Sequence, residues 1–303
     1  MCDTALAFGE GDTYLLECPS RRCFNDLPPG IVESLRDGDI DTTLDVAFGP
    51  GGSYVIAYRQ PCSRGILMEA LGVTPGLNKW LFEKNSSGQV IRSFAKLQVS
   101  LGPTKSRFWA TDGSSWVWEG LPKLLQQKVT SMMNNGLWTT ATPKLVSLGF
   151  SDDFVMIMES GNSINVFWDL PNYPDLEQSI KVVAEKERLA DLRNISLNPF
   201  KKGVYTLVCD DILILDGIAD RYKPAVEKLG VDIKSHVATT KANAAAANVN
   251  APSNSARAAA QSAWDMEYNN PYSLVRYICK HCVRERGLCD CDVADYQVEH
   301  KFV

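Results

Sequence analysis

A β-rich chain with short helices, organised as five strand-strand-strand-helix repeats, is the fold class this sequence predicts. Three observations predict it. An apolar residue followed by Gly recurs as Phe8-Gly9, Phe48-Gly49, Leu101-Gly102 and Leu148-Gly149, with Leu197-Asn198 as a fifth, degenerate copy. Successive anchors stand 40, 53, 47 and 49 residues apart. Five to seven residues beyond the Gly or Asn sits an aromatic residue, in turn Tyr14, Tyr54, Phe108, Phe154 and Tyr205. Each unit then runs through an acidic residue and a Leu or Ile into a helix-like segment. A period of this length marks one supersecondary unit that buries its apolar face only against copies of itself.

The elements follow in chain order. Unit one predicts strands over 13–18 and 22–24, then a helical run over 27–35 with Pro28 and Pro29 at its start. Unit two, the most diverged, has strands over 53–59 and 66–68 before Thr74-Pro75-Gly76-Leu77. Unit three reads as strands over 97–101, 107–110 and 115–118 around the Asp112-Gly113 turn, followed by Leu121-Pro122 and a helix. Unit four is the clearest. A short alternating segment over 144–148 closes at Gly149, and Asp152-Asp153 makes a turn. Phe154-Val155-Met156-Ile157-Met158 is a near-continuous apolar run, as in a strand covered on both faces. Ser160-Gly161-Asn162 is a hairpin-type turn into a third strand over 164–168. Asp169-Leu170-Pro171 then opens a helix through 183, Pro being tolerated where its missing donor has no partner anyway. Unit five repeats the pattern over 204–209, 212–215 and a helix over 224–229.

An open stack of such units would leave a sheet edge and an apolar end, and no polar cap marks either side of the array. Closure by radial repetition removes the problem and points to a five-bladed β-propeller. The segments GPGGSY (49–54), WEGLP (118–122) and WDLP (168–171) carry a resemblance. The chain resembles small propellers whose blades open on a Gly-x-x-Gly-Ser-Tyr-like segment and leave through aromatic-Leu-Pro, among them uncharacterised fungal repeat proteins. It also bears a weaker resemblance to the α/β-propeller of arginine-deiminase-like proteins. That second likeness implies an enzyme with a Cys nucleophile, a His and carboxylates at the ring centre. The repeats hold no histidine, and His236 falls after the last unit.

Apolar content of 45% and charge of 22% are those of a globular protein. A repeat body of roughly 230 residues buries about 70% of its unfolded surface, enough for a core without staples. The net charge of −5 and the lack of a basic stripe argue against nucleic acid as a partner. The first residues show no signal-peptide pattern, and no apolar run approaches the roughly 20 residues that span a bilayer. An intracellular protein with no membrane partner is therefore expected, its scattered cysteines acting as small buried hydrophobes.

Two sets of residues in the repeats are candidate ligand-binding positions. Asp26, Glu69, Glu119, Asp169 and Asp216 each precede the Leu or Ile that opens a helical segment. They read either as carboxylates capping helix N-termini or as a ring facing a central channel. Five converging carboxylates would raise one another's pKa, a cost that capping avoids. The tryptophans read either as core or as sugar-stacking platforms, and Trp109 and Trp116, beside the Asp112-Gly113 turn, are the candidates for exposure. The segment Asp37-Gly38-Asp39-Ile40-Asp41 lacks the Gly and distal Glu of a calcium loop and reads as a polar turn. With no phosphate loop, no GxSxG and no HExxH, catalytic residues are not assigned.

Beyond the five-repeat domain (1–237), an Ala-rich stretch over 238–263 has the composition of a flexible linker. The final segment, 264–303, holds Cys279, Cys282, Cys289 and Cys291. Two close thiol pairs around a short loop are a candidate zinc site, with His281 and His300 as reserve ligands, or else a redox-labile tail. The function expected is a non-catalytic binding or scaffold module that uses a propeller face for a protein, small-molecule or glycan ligand. A lectin, or an enzyme using the carboxylate ring, are the alternatives.

Overall fold

The protein is seen in a computed structural model that describes residues 4–217 except 19, 20, 62–64, 140, 162, 211 and 212, together with 228, 229, 232, 238, 274–279 and 296–301. Five three-stranded antiparallel sheets, each a simple meander, follow one another along the chain. Sheet one holds β1 (Ala5–Phe8), β2 (Tyr14–Cys18) and β3 (Arg21–Asn25), and α1 (Pro29–Arg36) follows it. Sheet two holds β4 (Thr42–Phe48), β5 (Tyr54–Arg59) and β6 (Ile66–Leu71), with α2 (Pro75–Leu81) next. Sheet three holds β7 (Gln98–Leu101), β8 (Phe108–Thr111) and β9 (Trp116–Glu119), then α3 (Lys123–Ser131). A small hairpin of β10 (Met133–Asn134) and β11 (Leu137–Trp138) comes before sheet four. Sheet four holds β12 (Thr142–Leu148), β13 (Phe154–Ser160) and β14 (Ser163–Asp169), followed by α4 (Pro174–Glu185). Sheet five holds β15 (Leu192–Leu197), β16 (Tyr205–Cys209) and β17 (Leu213–Asp216). Far along the chain, β18 (Leu274–Cys279) and β19 (Tyr296–Lys301) pair as an antiparallel ribbon.

The recurring anchor turns out to be the closure of the first hairpin in each sheet. The N–H of Gly9, Gly49, Gly102, Gly149 and Asn198 donates to the C=O of Thr13, Ser53, Arg107, Asp153 and Val204, all at 2.8–2.9 Å. The aromatic that follows starts the second strand and pairs with the anchor's apolar residue, as Phe48 pairs with Tyr54 and Leu148 with Phe154. Glycine is needed for close approach. A Cβ on Gly149 would meet Leu197 at 2.9 Å, one on Gly49 Leu101 at 3.1 Å and one on Gly9 Phe48 at 3.1 Å, so at these three seams the next sheet's anchor rests on the glycine before it, while Gly102 is packed by Arg107.

The core is divided among the seams between sheets. Ala7, Leu15 and Ile31 pack with Val46, Phe48 and Ile56 between sheets one and two. Val55 and Leu77 pack with Val99 and Phe108 between two and three, and Trp109 and Leu125 with Val146 and Leu148 between three and four. Val155 and Leu176 pack with Ile195 and Tyr205 between four and five, while Leu6 and Phe8 of sheet one meet Val204 and Val208 of sheet five. Each helix, two to three turns long, fills the seam ahead of its own sheet. The first strands accordingly touch in the order β1, β4, β7, β12, β15, and β15 touches β1. A three-stranded sheet this small cannot bury both faces alone, which is why the repeat has its period.

First strands of adjacent sheets share no backbone ladder, and side chains bridge them instead. Glu17 accepts from Thr43 N–H (3.1 Å), Asp45 from Val99 N–H (2.8 Å), Ser100 from Leu148 N–H (2.9 Å) and Ser147 from Leu197 N–H (2.9 Å). Tyr173 does the same between sheets four and five. Its hydroxyl, wholly buried, donates to Asn198 C=O (2.6 Å) and accepts from Phe150 N–H (2.9 Å). Tyr173→Phe strands both backbone groups, so a loss of about 1–3 kcal/mol is expected in urea unfolding; an unchanged midpoint would refute this role.

The structure corrects several details of the sequence reading. The fourth helix starts at Pro174, not at 169–171, because Leu170 and Tyr173 are buried in the seam and residues 170–173 form a turn closed by Tyr173 N–H to Leu170 C=O (3.0 Å). The β10–β11 hairpin was not anticipated, nor were the first strands β1, β4 and β15, units one, two and five having been read with two strands each. The fifth helical run, over 224–229, lies almost wholly outside the described residues, as does the linker over 239–263.

Candidate functional site

The first strands line a cavity of ≈ 670 Å³. Its walls follow from the repeat register. Four residues before each Gly or Asn anchor stand Ala5, Asp45, Gln98, Leu145 and Asn194, and two before it stand Ala7, Ala47, Ser100, Ser147 and Ser196. Five residues before it stand Thr4, Leu44, Leu97, Lys144 and Arg193. A β-bulge recurs at this last position, between Thr43 and Asp45, Pro143 and Leu145, and Leu192 and Asn194. Bulges re-aim the side chain they carry, here Leu44, Lys144 and Arg193, at one end of the cavity. At the opposite end the cavity-facing ring is small, Ala7, Ala47, Ser100, Ser147 and Ser196, while Phe8, Phe48, Leu101, Leu148 and Leu197 are buried in the seams.

At the polar end, Asp45 is half-buried and faces the cavity, with protein on every other side. Burial pushes its carboxyl up to about 7, against the opposing N–H bonds from Val99 and Val46. Arg193 is held by Asp210 through two bonds, its Nη2 at 2.9 Å from Oδ2. Lys144 has no acidic partner within ion-pair distance among the described residues, and neither does Asp45 a basic one. Two buried polar atoms on lining residues, Gln98 Oε1 and Trp138 Nε1, have no hydrogen-bond partner among the described residues, as is also true of Thr43 Oγ1, Trp109 Nε1, Asp112 Oδ2 and Thr206 Oγ1 away from the cavity. Exposed Lys96 and Glu159 stand at the rim.

Aromatic residues form one wall. Gln98, Thr111 and Trp116 are directly cross-paired through β7, β8 and β9 and so share a face of sheet three. Trp138 meets Trp116 edge-on at 5.5 Å between ring centroids, and both line the cavity. Trp109, read from sequence as a candidate for exposure, is instead 1% exposed, stacked on Trp118 at 5.5 Å and packed in the seam. A residue in the central strand of a sheet covered on both sides has no route to solvent.

The five sequence-predicted carboxylates are not brought together at the cavity; none lines it. They sit at or just after the third strand of each sheet, the strand farthest from the first. Glu119, Asp169 and Asp216 occupy one register position, opposite Phe108, Phe154 and Tyr205. Asp26 lies one residue past that position at φ 49°, and Glu69 two before it, where it accepts from the Tyr58 hydroxyl. Nor do Asp26, Glu69, Glu119 and Asp169 cap the four described helices. Thr74 caps α2, accepting from Leu77 N–H (3.2 Å), and α1, α3 and α4 start after Pro28, Pro122 and Tyr173 without a side-chain cap.

Sequence reasoning missed Asp45, Gln98, Lys144, Arg193 and Trp138. A signal existed for Trp138: Asn135-Gly136, at φ 50° and 77°, is the residue pair that a tight hairpin turn requires. For the others the signal was a polar residue inside a strand otherwise apolar on that face.

Among the described residues no group of His, Cys, Asp and Glu could hold a metal ion, and no helix is long and apolar enough to cross a membrane. Of the four tail cysteines, Cys279 ends β18, while Cys282, Cys289 and Cys291 lie outside the described residues. Comparison with protein-family models, curated proteins and solved structures finds no match.

Proposed function

We propose that the five sheets are the blades of a β-propeller and that the protein is a non-catalytic binding module whose ligand sits in the central cavity. The propeller reading is supported by five antiparallel meanders with one core cluster per seam, including that between the last sheet and the first. The binding reading rests on one observation: Asp45 and Lys144, neither paired with an opposite charge among the described residues, converge with the unpartnered Gln98 Oε1 and Trp138 Nε1 on a cavity within the 300–1,000 Å³ range usual for small-molecule sites. Uncompensated polar groups cost stability, and a fold that only needed a core would fill these positions with apolar residues.

A thermal-shift screen with neutral sugars, amines, carboxylates and amino acids tests this. Binding at 100 Kd adds about 2.7 kcal/mol, a rise of several degrees, and Asn194→Trp, which fills the cavity, should abolish it. A screen in which no class shifts the midpoint would sink the reading. Trp116 and Trp138 in the wall favour a lectin as the second reading, since a sugar face stacks on an indole.

The tail is proposed to hold zinc through Cys279, Cys282, Cys289 and Cys291. Its support is that β18 and β19 pair Cys279 with Tyr296, which closes the segment bearing the other three thiols at its base. One zinc per chain is expected, lost in Cys282→Ser; metal-free native protein would rule it out. An intracellular setting and a partner other than nucleic acid or membrane complete the proposal.

A further inference from the structure

We infer that the cavity takes a zwitterionic small molecule of the amino-acid or short-peptide class, its ammonium group on Asp45 and its carboxylate on Lys144. The inference deepens the binding reading above and depends on it.

Asp45 and Lys144 line one cavity from sheets two and four, which do not adjoin, and neither has an opposite charge within ion-pair distance among the described residues. Arg193, on the same bulge position as Lys144, is by contrast already neutralised by Asp210. One carboxyl, held by backbone N–H groups but by no cation, and one ammonium with no acidic partner among the described residues are thus left on separate walls. A neutral ligand would strip water from both charges and return nothing to either. A ligand with one charge would answer one wall and strand the other. Opposite charges at the two ends of one molecule satisfy both, and charge-assisted bonds of that kind are the strong ones. The remaining groups suit the same class. Gln98 and Asn194 stand at the level of Asp45 and can bond an amide or amine, and the small residues Ala7, Ala47, Ser100, Ser147 and Ser196 leave room at the far end for a side chain.

Calorimetric titration with a free amino acid and a dipeptide, each also N-acetylated or C-amidated, tests the assignment, with a neutral disaccharide as control. Either blocked form is expected to bind at least about tenfold more weakly than the zwitterion. Asp45→Asn should weaken the zwitterion by a similar factor yet leave the N-acetylated form, which has no ammonium, unchanged. Lys144→Gln should weaken the zwitterion and spare the amidated form. Zwitterion binding that ignores both substitutions overturns the assignment. Disaccharide binding without zwitterion binding overturns it too, while leaving the cavity a binding site. No binding by any ligand removes both readings together.

Discussion

Asp45→Asn is expected to stabilise the protein at pH 8 by up to about 4 kcal/mol and to leave it nearly unchanged at pH 4. Below pH about 4, folded and unfolded chains both carry this carboxyl protonated, and its burial costs little. Between about 4 and 7 the unfolded chain releases the proton while the folded chain, with the group pushed up to about 7, keeps it. The unfolded state then binds fewer protons, so stability falls as pH rises across that window. Above about 7 both states are ionised and the penalty is constant, near 1.36 kcal/mol for each of the roughly three units separating the two pKa values. Water in the cavity screens the charge and makes this an upper bound. Asparagine keeps an acceptor for Val99 N–H and carries no charge to desolvate. Other carboxylates also titrate in this range, so the quantity to measure is the difference between wild-type and variant unfolding free energies at pH 4, 6 and 8. A difference that stays flat would mean that Asp45 is not buried as described. A chain that retains a destabilising carboxylate in its cavity wall is one in which the charge serves something other than folding.

Glu17→Ala should be the most damaging single change, at about 3–5 kcal/mol. Glu17 is 4% exposed and receives Arg22 through two bonds, Nε to Oε2 at 2.6 Å and Nη2 to Oε1 at 2.8 Å. The same Oε1 takes Thr43 N–H, and Arg22 reaches on to Asp41 C=O at 3.0 Å, so one ion pair staples sheet one to sheet two. Removing the carboxylate leaves a guanidinium and a backbone N–H without partners. The control is Glu17→Leu with Arg22→Met. Replacing both charges by apolar side chains should recover most of the loss, because buried pairs are costly to break and much less costly to replace. If the single variant unfolds within 1 kcal/mol of wild type, the staple carries no weight.

The second and third strands of every unit were legible because a strand's signals are local, whereas the first strands β1, β4 and β15 were not placed. Val155, Ile157 and their neighbours make an apolar run, and Gly149 and Gly161 mark its turns, whatever packs on them. The site was not legible for the opposite reason. Lys144 and Arg193 occupy equivalent positions in repeats that share little else there, and the bulges at 44, 144 and 193, which depend on strand pairing, turn that position to the cavity, with Asp45 one residue further on. The five acidic residues misled because their regularity belongs to the third strand. Glu119, Asp169 and Asp216 share a register opposite the aromatic that opens the second strand, a position set by the hairpin and remote from the first.

From its sequence alone, the chain is committed to five near-equivalent units, each with a glycine or asparagine turn, an aromatic-led central strand and a short helical run. Those choices are made by nearest-neighbour sterics and by periodicity. Which side chains meet was decided by the tertiary structure. The seams demand apolar residues and glycines that admit the next sheet's Phe or Leu, and whatever polar groups remain on the first strands are driven to the one space that all five share. Position there, rather than residue type, is what lifts the Asp45 carboxyl and leaves Lys144 without an acidic partner among the described residues, while the seam between sheets three and four is what buries Trp109.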